Sequence, residues 1–339
     1  MKQIAVIGAG SWGTAIANTL ANKGYGVKLW ARDSVVAEGI REARRNPKYL
    51  KDAELHQNIF STVDLEEAIT QSYVVVMAVP SHAMRTMAVQ VKEFIKEEKI
   101  VVSVAKGIEE DSLERMSQVL SGELGHRNRV AVLSGPNHAE EVVKNIPSAT
   151  VISSKSKRVA EELQEIFMTP YFRVYTNPDL VGVEMGGATK NVIAIAAGIS
   201  DGLGFGDNTK ASLITRGLAE MIRLGVAMGA DVRTFAGLAG MGDLVVTCMS
   251  KHSRNRGVGE MMGRGLTIEQ VKLEMVQVAE GIRTTSAIRS LAQKMDVYMP
   301  ITENVAEVLY EGKNALACVS ELMLRGAVEE IRGIGWEED

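Results

Sequence analysis

Gly8, Gly10 and Gly13 stand in the spacing G-x-G-x-x-G one residue after the apolar run 4–7, and they open a segment of small residues at 14–17. A strand that runs into a glycine turn and straight on into a helix leaves few folds open. The first glycine permits the tight turn, the second lets backbone N–H groups approach a pyrophosphate, and the third lets the helix pack close on the strand. Glycines also cluster in ordinary loops, so the motif takes its meaning from the strand before it and the helix after it. The chain therefore begins as a dinucleotide-binding βα unit.

The next strand, 27–30, ends in Ala31, Arg32 and Asp33. An acidic residue about 20 positions past the glycines ordinarily binds the adenosine ribose hydroxyls. Arg32 can stack on adenine and pair with a 2′-phosphate, whereas Asp33 keeps the hydroxyl-binding mode open. The turn is thus written for NADP(H), for NAD(H) as well, or is a solvated Arg–Asp turn.

With 339 residues, 46% of them hydrophobic and 24% charged, the chain can build two domains with a core in each. A net charge of −4 with dispersed Lys and Arg gives no reason to expect a nucleic-acid surface. Cys248 and Cys318 lie far apart and are expected as reduced thiols. His56, His82, His126, His138 and His252 show no paired-ligand spacing, so no metal is expected. The first strand leaves no room for a signal segment, and the apolar stretches 73–79 and 192–199 are short for a bilayer. The expected location is cytoplasmic.

Further apolar runs at 73–79, 100–105, 130–133 and 150–152 are continuous rather than alternating, as in strands buried on both faces. Amphipathic segments lie between them; one opens with Asp64 three residues before Glu67, a helix-start signal. The expected fold is an α/β, Rossmann-like domain over 1–180, its doubly wound sheet mostly parallel, followed by an all-α domain over 181–339. Helices in the second half are expected at 180–198, 208–229, 255–264, 267–276, 281–294 and 301–325, and residues 335–339 read as a frayed acidic tail.

In open α/β sheets, ligands lie beyond the C-terminal ends of the strands. The strand ends here carry Pro80-Ser81-His82, Lys106-Gly107 and Ser134-Gly135-Pro136-Asn137-His138-Ala139. Lys106 either reaches the crevice or stands in solvent. Lys190 sits in an otherwise small and apolar helix, where periodicity puts Gly186, Gly187, Lys190, Asn191 and Ala194 on one side. A charge in such a setting either serves a purpose or snorkels to the surface. Glycine-dense polar stretches at 201–210 and 237–244 stand out as well. So does 252–257, where Ser253, Arg254 and Asn255 at a helix start suit an anion or form a solvated basic loop.

Nine blocks, among them Gly8–Ala15, Val79-Pro80-Ser81, Ala105–Ile108, Ser134-Gly135-Pro136, Ala188–Asn191, Gly206–Ala211, Gly240–Leu244, Ser253–Asn255 and Glu280-Gly281, stand in an order that resembles bacterial NAD(P)-dependent glycerol-3-phosphate dehydrogenase. The resemblance spans essentially the whole chain. It implies interconversion of sn-glycerol 3-phosphate and dihydroxyacetone phosphate, with reduction feeding phospholipid synthesis, and a homodimer. It makes Lys190 the proton acceptor and has Lys106 touching both cofactor and substrate. Gly135, Asn137, Lys190, Asp243, Ser253, Arg254 and Asn255 would hold the substrate. Ser11, Trp12, Arg32, Ala139, Arg254, Val278 and Glu280 would belong to the cofactor, beside the glycine turn. Asn137-His138 and Val278-Ala279 depart from the usual pattern.

The chemistry of these residues agrees with that assignment. Hydride addition to a ketone leaves charge on oxygen, which needs a proton donor, and the reverse reaction needs a base. Lysine serves both directions once burial and a second ammonium bring its pKa towards neutrality; Lys106 could be that second charge, and Asp243 would orient Lys190 or a substrate hydroxyl. Two alternatives remain at this point. Another β-hydroxyacid dehydrogenase commonly carries Lys-x-x-x-Asn, whereas Ala194 is four residues past Lys190 and Asn191 is adjacent. A non-catalytic NADP sensor would have no reason to keep Lys190, Asp243 and the 253–255 cluster together.

Overall fold

The computed structural model describes residues 2–96, 98–125, 129–275, 279–324, 326 and 330; His126, Val278 and the tail at 335–339 lie outside them. Strands β1 (Gln3–Ile7), β2 (Gly26–Trp30), β3 (Ile59–Thr62), β4 (Ser72–Met77), β5 (Ile100–Ser103), β6 (Arg129–Ser134), β7 (Ser148–Ser154) and β8 (Phe172–Asn177) form one sheet in the order β3-β2-β1-β4-β5-β6-β7-β8. Neighbours are parallel except for the antiparallel β6–β7 pair. Ala5 of β1 aligns with Lys28 on one side and Val75 on the other. The chain winds outward both ways from β1, so a crevice opens between β1 and β4 beyond their C-terminal ends.

Helices α1 (Ser11–Asn22), α2 (Ser34–Ala43), α3 (Leu65–Ile69), α4 (Met84–Val91), α5 (Met116–Leu124), α6 (Ala139–Val142) and α7 (Lys157–Phe167) cover the sheet. Val74, Val75 and Val76 of β4 are buried because both faces carry an apolar layer. Burying each large side chain of these layers, such as Phe167, contributes about 2 kcal/mol. The Asp64 carboxylate accepts from Glu67 N at 3.1 Å and starts α3 as its position predicts. Gly8 has φ +117°, and a Cβ on it would stand 2.5 Å from the Ala78 carbonyl oxygen; one on Gly13 would stand 1.9 Å from the Gly8 oxygen. Only glycine lets β1, α1 and the end of β4 meet this closely.

From Leu180 onward the described residues form helices and turns: α8 (Leu180–Gly202), α9 (Asp207–Ala227), α10 (Val232–Phe235), a π turn at Leu238–Gly242, α11 (Asp243–Met249), α12 (Arg254–Gly263), α13 (Ile268–Glu274), α14 (Glu280–Lys294), α15 (Pro300–Tyr310) and α16 (Ala315–Met323). α8 runs through the middle of their separate apolar core. It meets α12 main chain to main chain. A Cβ on Gly198 would lie 2.0 Å from Arg256 O, and one on Gly259 2.0 Å from Ile195 O.

Two expectations need correction. The segment 301–325 is two helices, because Gly312 takes φ +69° and Asn314 caps α16 by accepting from Leu316 N and Ala317 N. Residues 232–249, where no helix is expected, hold α10, the π turn and α11; Gly240 belongs there because a Cβ would stand 2.2 Å from Phe235 O. By length and composition α8 could cross a membrane, as could the stretch 232–249; but 89% of the apolar window in α8 is buried within the protein, and 232–249 is divided among three elements.

Candidate active site

The glycine turn presents α1 to the crevice. Gly10 precedes α1 without any side-chain cap, and a Cβ added to Gly10 would meet nothing within 4 Å. Uncapped N–H groups facing open space are what a pyrophosphate needs, so this end of the crevice fits a dinucleotide. The Ser11 hydroxyl donates to Tyr49 O at 3.1 Å, and Trp12 packs on Phe172 with ring centroids 6.5 Å apart. Arg32 is exposed just past β2. Asp33 is otherwise engaged: its carboxylate caps α2 by accepting from Val35 N at 3.0 Å and lies 3.7 Å from the Lys48 ammonium. Buried Asn46 ties this loop to the glycine turn, donating to Ala9 O at 2.9 Å and Thr14 Oγ1 at 2.8 Å while accepting from Lys48 N and Tyr49 N. Sequence reasoning missed Asn46, whose only signal is a polar residue in a stretch rich in Arg and Lys.

Where α8 passes the ends of β5 and β6, three charges gather. Asp243, 1% exposed, begins α11 and offers one oxygen to each of two lysines. Lys190 Nζ donates to Asp243 Oδ1 at 2.5 Å, and Lys106 Nζ donates to Oδ2 at 2.7 Å. Lys106 also donates to Gly135 O at 2.7 Å, and Lys190 to Thr247 Oγ1 at 2.6 Å. Thr247, absent from the candidate residues, lies one turn past Asp243 on the same face of α11. Lys106 therefore reaches the crevice, and Lys190 is buried rather than snorkelling. Gly187 makes room for this meeting: a Cβ there would be 2.8 Å from Ser134 Oγ and 3.5 Å from Lys106 Cγ.

Burial pulls the Lys190 pKa down to about 8; Asp243 opposes that fall and the Lys106 charge adds to it. Burial alone would raise Asp243, but the ammonium groups of Lys106 and Lys190 outweigh it and hold the carboxyl below its usual range. Burial pushes the neighbouring Cys248 thiol up to about 12, so it carries no thiolate at neutral pH.

The remaining candidates surround this centre. Ser253 caps α12, its hydroxyl accepting from Arg256 N at 3.2 Å, and exposed Arg254 occupies the first helical position. Asn255 turns inward: its amide donates to Asn191 Oδ1 at 2.8 Å and its carbonyl accepts from Gly281 N at 2.9 Å. Asn191 donates to Lys106 O at 3.3 Å. Asn137 donates to Pro136 O and Ala149 O, both at 3.0 Å, and its buried Oδ1 lacks a protein partner. Ala139 opens α6 and is buried. Glu280 opens α14 and accepts from Ser81 N at 3.1 Å, joining the helical layer to the end of β4; burial raises its pKa.

Residues 3–160 match the family described as NAD-dependent glycerol-3-phosphate dehydrogenase N-terminus, and residues 179–320 match its C-terminus. The glycerol-3-phosphate dehydrogenase [NAD(P)+] of Moorella thermoacetica is 50% identical over 335 residues, covering 99% of either chain. That of Bacillus subtilis is 48% identical, covering 98% of this chain and 97% of its own. The crystal structure of glycerol-3-phosphate dehydrogenase from Coxiella burnetii superposes with a TM-score of 0.92 at 38% identity, over 96% of this chain and 99% of that one.

Proposed function

Because the chain belongs to the NAD-dependent glycerol-3-phosphate dehydrogenase family, we propose a division of labour among its residues for that reaction. The protein is an NAD(P)-dependent oxidoreductase that interconverts dihydroxyacetone phosphate and sn-glycerol 3-phosphate. Residues 1–180 form the dinucleotide-binding domain and 181–339 the catalytic and substrate-binding domain. When bound, the nicotinamide cofactor supplies or takes up the hydride.

Lys190 gives its Nζ proton to the substrate oxygen as that oxygen gains charge, and takes it back in the oxidative direction. Asp243 holds Lys190 and Lys106 in fixed orientation, and Lys106 offers a second ammonium to the same oxygen or its neighbour. Ser253 and Arg254 bind the phosphate at the start of α12, where N–H groups and a guanidinium converge. Gly135 and Asn137 line the substrate side of Lys106. Asn255 acts from behind, through Asn191 and Gly281 N. Gly8, Gly10, Ser11, Trp12, Gly13 and Arg32 take the adenine and pyrophosphate half of the cofactor, with Ala139, Arg254, Val278 and Glu280 completing its site.

The observation that carries this reading is the single buried carboxylate shared by lysines from two different layers. The proposal extends to a cytoplasmic homodimer that supplies glycerol 3-phosphate for phospholipid synthesis. Purified protein assayed with dihydroxyacetone phosphate against NADPH and NADH in parallel tests it. Oxidation of either cofactor that depends on this ketone is expected; turnover only with 2- or 3-oxo acids would refute the substrate, and cofactor binding without turnover would refute catalysis.

A further inference from the structure

The loop that carries Lys106 is fastened to α8 at two points. One is at Lys106 itself, whose carbonyl oxygen accepts from Asn191 Nδ2 at 3.3 Å. The other lies at the far end of the loop, where α5 begins. Glu184 of α8 accepts there from Ser117 N at 2.8 Å and from Ser117 Oγ at 2.6 Å, and it pairs with the Arg115 guanidinium. The Glu184 side chain is 5% exposed and that of Arg115 12% exposed, so the pair is desolvated. Glu184, Gly187 and Asn191 are spaced i, i+3 and i+7, which places them along one face of α8 over about 10 Å. Gly187 is the point on that face where a Cβ would approach Lys106 Cγ and Ser134 Oγ.

Between the two fastenings the loop is closed on itself. Ile108 bridges Arg115, and Glu109 N donates to Glu114 O at 3.0 Å. Arg85 grips its outer side, with Nη2 2.6 Å from Glu109 Oε2 and 2.7 Å from Glu114 Oε2. A closed loop moves as one piece, so a tether at Arg115 and Ser117 constrains Lys106 at its other end. We propose that Glu184 is a positioning residue for the reaction: it holds the Lys106 loop in register along α8, so that the Lys106 ammonium shares the Asp243 carboxylate with Lys190. This deepens the reading of Lys190 as proton donor and rests on it.

The physical cost of such a tether is high, since a buried carboxylate must be paired and fully hydrogen-bonded to be kept. Glu184 reaches no reacting group itself. Its effect passes through Lys106 to the charge balance around Lys190. The ionisable groups that bear on Lys190 are Asp243 and Cys248 from α11, Lys106 from the loop after β5, His138 from the start of α6 and Glu280 from α14. Of these, only Lys106 sits on the loop that Glu184 tethers. If the loop slips, Lys106 leaves Asp243, the carboxylate acts on Lys190 alone, and Lys190 holds its proton to higher pH.

The test is the pH profile of kcat for reduction of dihydroxyacetone phosphate in wild type, Glu184→Ala, Lys106→Met and the double variant. Lys106→Met should carry the falling alkaline limb upward by about one pH unit. Glu184→Ala should move it the same way by about half a unit, and should add nothing in the Lys106→Met background, since both changes act through one group. Should Glu184→Ala not fold, Glu184→Gln keeps an acceptor for Ser117 N, loses the charge opposite Arg115, and completes the same cycle. A merely structural Glu184 would lower the yield or melting temperature of the enzyme and leave the limb in place in folded protein. An unmoved limb in the single variant, or an equal shift in both backgrounds, overturns the proposal. An unmoved limb in Lys106→Met instead removes the reading of Lys190 and Lys106 on which the proposal stands, and the proposal with it.

Discussion

Replacing Asp243 with Asn removes the negative charge that is hydrogen-bonded to both lysines while keeping the shape of the side chain. At pH 7 the wild-type Lys190, with its pKa near 8, is about nine-tenths protonated and ready to act as an acid. An opposite charge at hydrogen-bond distance supports the charged form by about 1–3 pH units. Losing it leaves burial and the Lys106 charge unopposed, and a buried ammonium without a counter-charge sheds its proton rather than remain charged. Burial, the largest remaining influence, and the Lys106 charge both lower the Lys190 pKa, so the alkaline limb of kcat for ketone reduction moves to lower pH. A shift of about two units cuts the protonated share at pH 7 roughly ten-fold. Misorientation of the lysine adds a second loss that does not vary with pH. Steady-state reduction of dihydroxyacetone phosphate by NADPH, followed between pH 5.5 and 9 in both proteins, separates the two: the deficit of Asp243→Asn should be smallest at the acid end and widen as pH rises. A deficit constant across the range, or a limb displaced to higher pH, would refute the role given to the carboxylate.

Lys190→Ala should lower kcat by about 100-fold or more while the Kd of NADPH, followed by fluorescence, stays near the wild-type value; wild-type turnover in folded protein would remove the mechanism. Arg32→Ala should weaken NADPH far more than NADH, because only NADPH offers a phosphate dianion to the guanidinium; equal weakening would indicate adenine stacking. Arg254→Lys should impair dihydroxyacetone phosphate strongly and phosphate-free dihydroxyacetone little, since lysine keeps the charge but not the planar fork; equal losses on both would make 252–257 a structural loop. Gly198→Ala places a Cβ 2.0 Å from Arg256 O, and chemical denaturation should show a loss of at least about 1–3 kcal/mol; unchanged stability would mean that α12 can back away.

The sequence speaks most clearly where a physical requirement is local. The glycine turn, the buried strands β4 and β5, and the caps at Asp64 and Thr267 follow from neighbours a few residues away. Edge strand β8 was harder to read, because Tyr175 faces solvent and no continuous apolar run marks it. The π turn and α11 are hidden for a related reason: the glycines at 237, 240 and 242 disfavour a helix on propensity, and Gly240 is required by the close approach of Phe235. Lys190 stood out as a lone charge in an apolar helix, yet its partners Asp243 and Thr247 are 53 and 57 residues away, and only the fold brings them to it. The inward turn of Asn255 and the engagement of Asp33 by Val35 N are likewise tertiary facts.

The glycine contact between α8 and α12 makes the two helices a gauge. One carries Lys190, the lysine proposed for proton transfer, and the other begins with the residues proposed for phosphate, and their separation is set by main-chain atoms rather than by side-chain volume. Interfaces built from side chains can be widened by trimming a leucine to an alanine; here there is nothing left to trim. Drift in the surrounding core leaves the span between the two chemical ends unchanged. A longer phosphorylated ketone therefore cannot be admitted by repacking this seam. Its accommodation has to come from the turn at 250–253 or from sliding α12 by a whole helical turn, about 5.4 Å, a step too coarse for one added carbon.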